Sequence, residues 1–195
     1  ILKDNIKTKT FLLGTDRFGR DVLSQLMIGT RVSLSVGFIS VLISLVLGIL
    51  LGSLAGFFRG RTDDLIIWFI NVIWSIPTLL LVIAITFALG KGFWQVFIAV
   101  GLTMWVEVAR VIRGQILSLR EKEFVEAARA IGAKDSRIMF KHLLPNSLGP
   151  IIIIAATSIP GMIITEAILG YLGLGLRPST NPEDFFLTSW GALLL

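Results

Sequence analysis

The 195 residues are 54% apolar and only 16% charged, with a mean hydropathy of +0.85, which excludes an ordinary soluble domain of this length. With no cysteine and a single histidine, a disulfide framework, thiol catalysis and a Cys-built metal site are excluded, and a His-built one is disfavoured. The excess of 18 Lys and Arg over 13 Asp and Glu does not point to nucleic acid, because the basic residues flank apolar runs rather than forming a separate module.

In chain order, residues 1–31 are polar and mixed, with a turn at Gly14–Asp16 followed by a short amphipathic helix that places Val22, Leu23, Leu26 and Met27 on one side. The first membrane span is expected over about 32–58, long enough to cross ~30 Å of hydrocarbon. Along it Ser40, Ser44, Gly48, Gly52 and Gly56 recur at helical spacing, a strip over which another helix backbone can approach closely. Whether that helix belongs to this chain or to a second subunit is open. After the polar turn Arg59–Asp64, a second span over about 65–89 carries Trp68 and Trp74 as interfacial aromatics and Pro77 as a bend. A third span, about 93–112, ends in Glu107, Arg110 and Arg113, of which Glu107 and Arg110 stand one helical turn apart and can pair.

A charged loop, 113–148, then separates two very apolar stretches. Ser118 and Glu121 have capping-box spacing. Phe124, Ala127, Ala128 and Ile131 give an apolar helical face, and Gly132 stands where a left-handed residue closes a helix. Asp135 is expected to cap a shorter helix over 137–143, stopped by Pro145. The fourth span, about 149–172, contains Pro160 and the intramembrane carboxylate Glu166. The chain lacks an initiator Met and ends at Leu193-Leu194-Leu195 as a further apolar segment begins, so a piece of a longer protein is expected.

Glu126-Ala127-Ala128, Gly132 and His142-Leu143-Leu144-Pro145-Asn146 resemble the EAA loop of ABC-importer permeases. The run from Gly14 to Leu34 resembles the GTDxxGRDVLSRLxxGxRxSL signature of the C-type subunit of dipeptide, oligopeptide and nickel importers, with Gln25 in place of the usual Arg. Gly170–Leu176 and Ser189-Trp190-Gly191 resemble that branch's FLGLG and PSWG segments, although the intervening 181–188 is longer than usual. The resemblance implies an all-α polytopic bundle of the type I importer kind with a cytoplasmic helix-Gly-helix coupling loop. It implies a second permease subunit in a heterodimer, two cytoplasmic ATPase subunits that hold the ATP and Mg, and an extracytoplasmic substrate-binding protein. Within the loop, Glu126, Ala127, Ala128, Gly132, His142, Leu144 and Pro145 occupy the family's ATPase-coupling positions. The cargo implied is a dipeptide or oligopeptide, with nickel or another small solute as the alternative.

Lys and Arg crowd the 113–148 loop, whereas only Lys91 lies between the second and third spans, so the loop and the Arg59–Arg61 turn are expected on the cytoplasmic side. Residues 1–31 then lie outside despite their own basic residues, which a preceding helix would override. Glu166 and Pro77 each have two readings: Glu166 faces the translocation path or locks helix packing, and the Pro77 kink serves gating or is a static packing bend. Packing is preferred, because the resembling branch often carries Glu there while transporting varied solutes. No phosphate-cradling GxxxxGK[ST] occurs, and the chain is not expected to hydrolyse ATP. A gradient-driven transporter, the reading from a different class, would favour internal repeats and further mid-span charges.

Overall fold

The computed structural model describes residues 10–16, 19–90 and 93–174. The expectations that rest on Lys91, the 181–188 insert, Ser189-Trp190-Gly191 and a further span at the C-terminal end lie outside them.

The polar start builds a tight turn around one carboxylate. Asp16 accepts from the Arg20 backbone N–H at 2.8 Å, from Arg20 Nε at 2.8 Å and from Gln25 Nε2 at 3.0 Å. Asp21 then accepts from the backbone N–H groups of Leu23 and Ser24, meeting two of the donors that a helix start leaves open. A hydrogen bond from the Ser24 hydroxyl, aided by those two backbone bonds, holds the Asp21 carboxyl below its ordinary range.

From this cap helix α1 runs unbroken over Val22–Phe58. The short amphipathic helix and the first span are therefore one element, and no boundary falls at residue 31. Nothing in the intervening Gly29-Thr30-Arg31 breaks the backbone ladder, and Gly29 and Val32 already face the bundle. Arg59 (φ 53°) and Gly60 (φ 56°) turn the chain out of α1 into α2, Gly60–Trp74.

The second span also differs from its expected form. Helix α2 and helix α3, Thr78–Leu89, meet at 90° across Ser75-Ile76-Pro77, with Pro77 at the N-cap of α3. Proline cannot supply a donor to α2 and biases Ile76 away from helical backbone, so the segment ends one helix and starts another.

Helix α4 spans Phe93–Arg120, about two turns beyond the expected end at residue 112. Charged Arg113 and Arg120 look like a helix exit but are both taken up by tertiary partners. Arg113 forks onto Asp63 of α2 with two contacts of 2.6 Å, and Arg120 Nη1 donates to the Phe57 carbonyl at the C-terminal end of α1. Ile112 and Ile116 are fully buried beneath them. The expected Glu107–Arg110 pair is replaced: Arg110 donates to Asn71 Oδ1 at 2.7 Å and stacks on the Trp74 ring at 3.6 Å, which ties α4 to α2.

The strip on α1 meets α4. A Cβ on Gly48 would lie 2.5 Å from Val108 Cβ, one on Gly52 2.5 Å from the Ala109 carbonyl oxygen, and one on Gly56 2.9 Å from the Arg113 carbonyl oxygen. Ser40 donates across the same seam to the Phe97 carbonyl at 3.2 Å, and Ser44 is buried beside it. The partner left open by the sequence is thus a helix of this chain. Higher on α1, a Cβ on Gly37 would meet Ile163 of helix α8, Leu148–Tyr171, at 2.9 Å. Helices α1, α4 and α8 are each long and apolar enough to cross a membrane, and α2 with α3 forms a fourth crossing if the bent pair is one span.

Candidate functional site: the loop between α4 and α8

The loop starts with helix α5, Glu123–Ala130. Its N-cap is Lys122, with no side-chain hydrogen bond, and Ser118 lies within α4; the expected Ser118 capping box does not form, because α4 passes through it. Glu123 and Glu126 instead suit the start of α5 by placing negative charge at the positive end of its dipole. Glu126 is exposed.

Gly132 closes α5 with φ 77°. Its N–H donates to the Arg129 carbonyl at 2.9 Å, and the Ala133 N–H donates to the Ala128 carbonyl at 3.0 Å. These two bonds form a Schellman motif, which satisfies carbonyls the helix end would leave open.

The apolar face of α5 is set one position away from the expected one. Val125 and Ala128 pack inward with Ile112, Ile116, Ile138 and Leu143. Phe124, Ala127 and Ile131 stay exposed, with Ile131 at 85%. An eight-residue helix gives too few turns for sequence to fix its phase.

The second half of the loop is a continuous helical run with a wide turn in it. Asp135 is the first residue of α6, Asp135–Ile138, rather than its cap; Lys134 takes the cap position. A π turn over Met139–Leu143 follows, with the Leu144 N–H bonded to the Met139 carbonyl. Short α7, Leu144–Asn146, then leads into α8. Pro145 does not stop the chain, since the π turn shifts the ladder before the residue that lacks a donor. Asn146 Nδ2 donates to the His142 carbonyl at 2.6 Å, and buried Ser147 donates through Oγ to the Leu143 carbonyl at 2.9 Å.

These elements bring some of the candidate residues together and separate others. Ala127, Ala128 and His142 share an open groove of ≈ 350 Å³ with Phe124, Ile131 and Arg137. Gly132 forms the corner beside it. Glu126 does not line this groove; Pro145 is exposed beyond it, and Leu144 lines a different groove against α1. The residues that tie the loop end of α4 to α2 and α1, Asp63, Arg113, Arg120 and Phe57, were not singled out as site residues. Their signal was the charge at the span ends, but naming the partners requires the fold.

Glu166 lies fully buried between α8 and α1, and its Oε2 accepts from Ser33 Oγ at 3.3 Å. Ser33 continues the small-residue side of α1, so this carboxylate takes part in the contact between α1 and α8. Pro77, in contrast, is exposed at the α2–α3 corner. Glu166→Gln preserves size and an acceptor for Ser33, and is expected to retain complex assembly and most transport. Loss of transport with assembly and basal ATP hydrolysis intact would instead put Glu166 on the solute path.

The comparisons agree with this architecture. The chain is 38% identical over 190 residues to the oligopeptide transport system permease protein OppC of Bacillus subtilis, covering 97% of this chain and 60% of that protein. It is 40% identical over 181 residues to OppC of Escherichia coli K12, covering 93% and 58%. To the glutathione transport system permease protein GsiD of Pectobacterium atrosepticum it is 38% identical over 182 residues, again covering 93% and 58%. The chain therefore spans about three-fifths of the length of these relatives. A chain from a structure titled as inward-facing conformations of the MetNI methionine ABC transporter shares the fold, with a TM-score of 0.71, 22% identity, and coverage of 78% of this chain and 76% of that one. The sequence model described as "Binding-protein-dependent transport system inner membrane component" matches residues 48–194. With membrane-length helices around a small-residue seam and this match over most of its length, the chain belongs to the family of binding-protein-dependent transport system inner membrane components.

Proposed function

We propose that the chain is the membrane-spanning permease part of an ATP-driven importer of dipeptides or oligopeptides. The observation that carries this reading is the groove on the α5–Gly132–α6 corner. It presents Phe124, Ala127 and Ile131 as an exposed apolar floor, with Arg137, Lys141 and His142 on its rim. Exposed apolar surface of this kind suits a protein partner, and the basic rim suits an acidic surface on it. The names of the relatives, permeases of oligopeptide, dipeptide and glutathione systems, support the cargo class.

In this reading the 113–148 loop is cytoplasmic, and the groove receives one of two ATPase subunits, which hold the ATP and Mg. A second permease subunit completes the path, an extracytoplasmic binding protein delivers the solute, and this chain performs no catalysis. Closure of the ATPases draws the loop inward. The anchors Arg113–Asp63 and Arg120–Phe57 pass that displacement to α2 and α1, while the helical run through Pro145 passes it to α8.

The test is uptake of a labelled dipeptide, a longer peptide and Ni²⁺ into cells lacking this gene, with and without its restoration, before and after ATP depletion. Recovery of ATP-dependent peptide uptake is expected. Uptake that survives ATP depletion but collapses with a proton uncoupler would overturn the reading in favour of a gradient-driven transporter.

A further inference from the structure

Two opposite charges on neighbouring turns of α4 are not paired with each other. Arg110 turns to α2, where its Nη2 donates to Asn71 Oδ1 at 2.7 Å and its guanidinium carbon stands 3.6 Å from the centre of the Trp74 ring. Its Nε has no acceptor among the described residues. Glu107, one turn earlier, is exposed and has neither a hydrogen bond nor an ion pair among the described residues.

Both groups lie inside the membrane layer. Measured from the Arg113–Asp63 contact, Asn71 and Trp74 stand about 12 Å and 17 Å along α2, and Glu107 about 9 Å along α4, at 1.5 Å per residue. The hydrocarbon layer is ~30 Å thick. An ionised side chain at such depth is costly against acyl chains, and is found where it faces protein or a water-filled cavity. A second, independent observation lies beside the first. The break Ser75-Ile76-Pro77 follows Trp74 directly, and all three residues are exposed. Non-helical backbone at membrane depth is tolerated where protein buries it or where it lines water. Charge and backbone thus single out one spot, at the α2–α3 corner facing α4.

We infer that this spot is a solute-binding point on the translocation path, where Arg110 takes the carboxylate end of a transported peptide and Glu107 its ammonium end. Charge complementarity argues for this occupant. A free peptide carries the two opposite charges that the spot lacks, whereas an acyl chain carries neither. Asn71 and Trp74 hold the guanidinium in place without neutralising it, so it keeps its charge for an incoming carboxylate. The inference rests on the proposed peptide cargo and deepens it, since it gives the permease itself a means of sensing peptide ends.

The experiment uses the whole transporter with its partner subunits in lipid vesicles. The chain has no cysteine, so Glu107→Cys introduces its sole thiol at the spot. A water-soluble maleimide is expected to label that thiol. Trialanine and N-acetylated trialanine, which keep the carboxylate, are expected to slow labelling, and C-terminally amidated trialanine is not. Adding Arg110→Gln is expected to raise the trialanine concentration needed for protection about tenfold or more, the loss of one hydrogen-bonded charge pair. No labelling in water would overturn the inference and assign Glu107 to a contact with the second permease subunit or with lipid. Labelling that trialanine and its amide affect equally would also overturn it, whether or not the arginine variant folds. ATP-dependent trialanine uptake by the wild type reports separately on the transport reading. Uptake without end-selective protection sinks this inference alone.

Discussion

Gly52→Val is expected to prevent the bundle from closing. The first atom beyond Cα at this position would lie 2.5 Å from the Ala109 carbonyl oxygen, 3.0 Å from Ala109 Cα and 3.0 Å from Ile112 Cβ. Two of these obstacles are backbone, so no rotamer change relieves the overlap. Overpacking of a close-packed core costs about 1–3 kcal/mol where side chains can shift, and a rigid helix–helix contact belongs at or above the upper end. In lipid, where packing rather than hydrophobic exclusion drives helix association, little else compensates. The check is the amount of folded permease recovered in membranes and its resistance to protease. Gly114→Val serves as the control, because a Cβ there meets nothing within 4 Å. Equal yields for the two variants would contradict the seam described for α1 and α4.

Gly132→Val is expected to lower transport by about tenfold or more, the factor that 1.4 kcal/mol represents, while leaving the bundle folded. Gly132 stands at φ 77°, and a Cβ at that position meets nothing within 4 Å. The penalty is therefore backbone strain alone, about 1–3 kcal/mol for a residue held in a sparsely allowed region, and β-branched valine is poorly suited to it. The chain would relieve the strain by opening the Schellman corner, which moves Ile131 and the α5 side of the groove relative to Arg137 and His142. Assembly with the ATPase subunits, basal ATP hydrolysis and uptake are measured together. The expected pattern is that loss of uptake with the permease still in the membrane. Gly132→Asn, which tolerates the left-handed region, is expected to recover most of the activity. Full uptake by the valine variant would sink the coupling role of the corner.

Features set by local spacing were legible in the sequence: the small-residue strip from Ser40 to Gly56, the left-handed role of Gly132, and the extent of α8. Features decided by distant partners were not. Arg113 and Arg120 read as the edge of a span until Asp63 and the Phe57 carbonyl supply acceptors for them. Pro145 reads as a stop until a π turn ahead of it absorbs the missing donor. Pro77 announces a bend, but not that it divides the segment into two helices at 90°. Glu166 could not be assigned a side of its helix without Ser33, which lies more than 130 residues earlier.

The length of α1 has a mechanical consequence. Its 37 residues extend about 55 Å, against ~30 Å of hydrocarbon and an average helix tilt near 20°. Roughly 20 Å of it must therefore project from the oily layer as a solid post. Its N-terminal end is braced by the Asp16 and Asp21 turn, and its C-terminal half is clamped by α4 at Gly48, Gly52 and Gly56. Such a post converts a sideways load at its tip into torque at the clamp. A load on the free end of α1 is thus carried along the helix to its seam with α4.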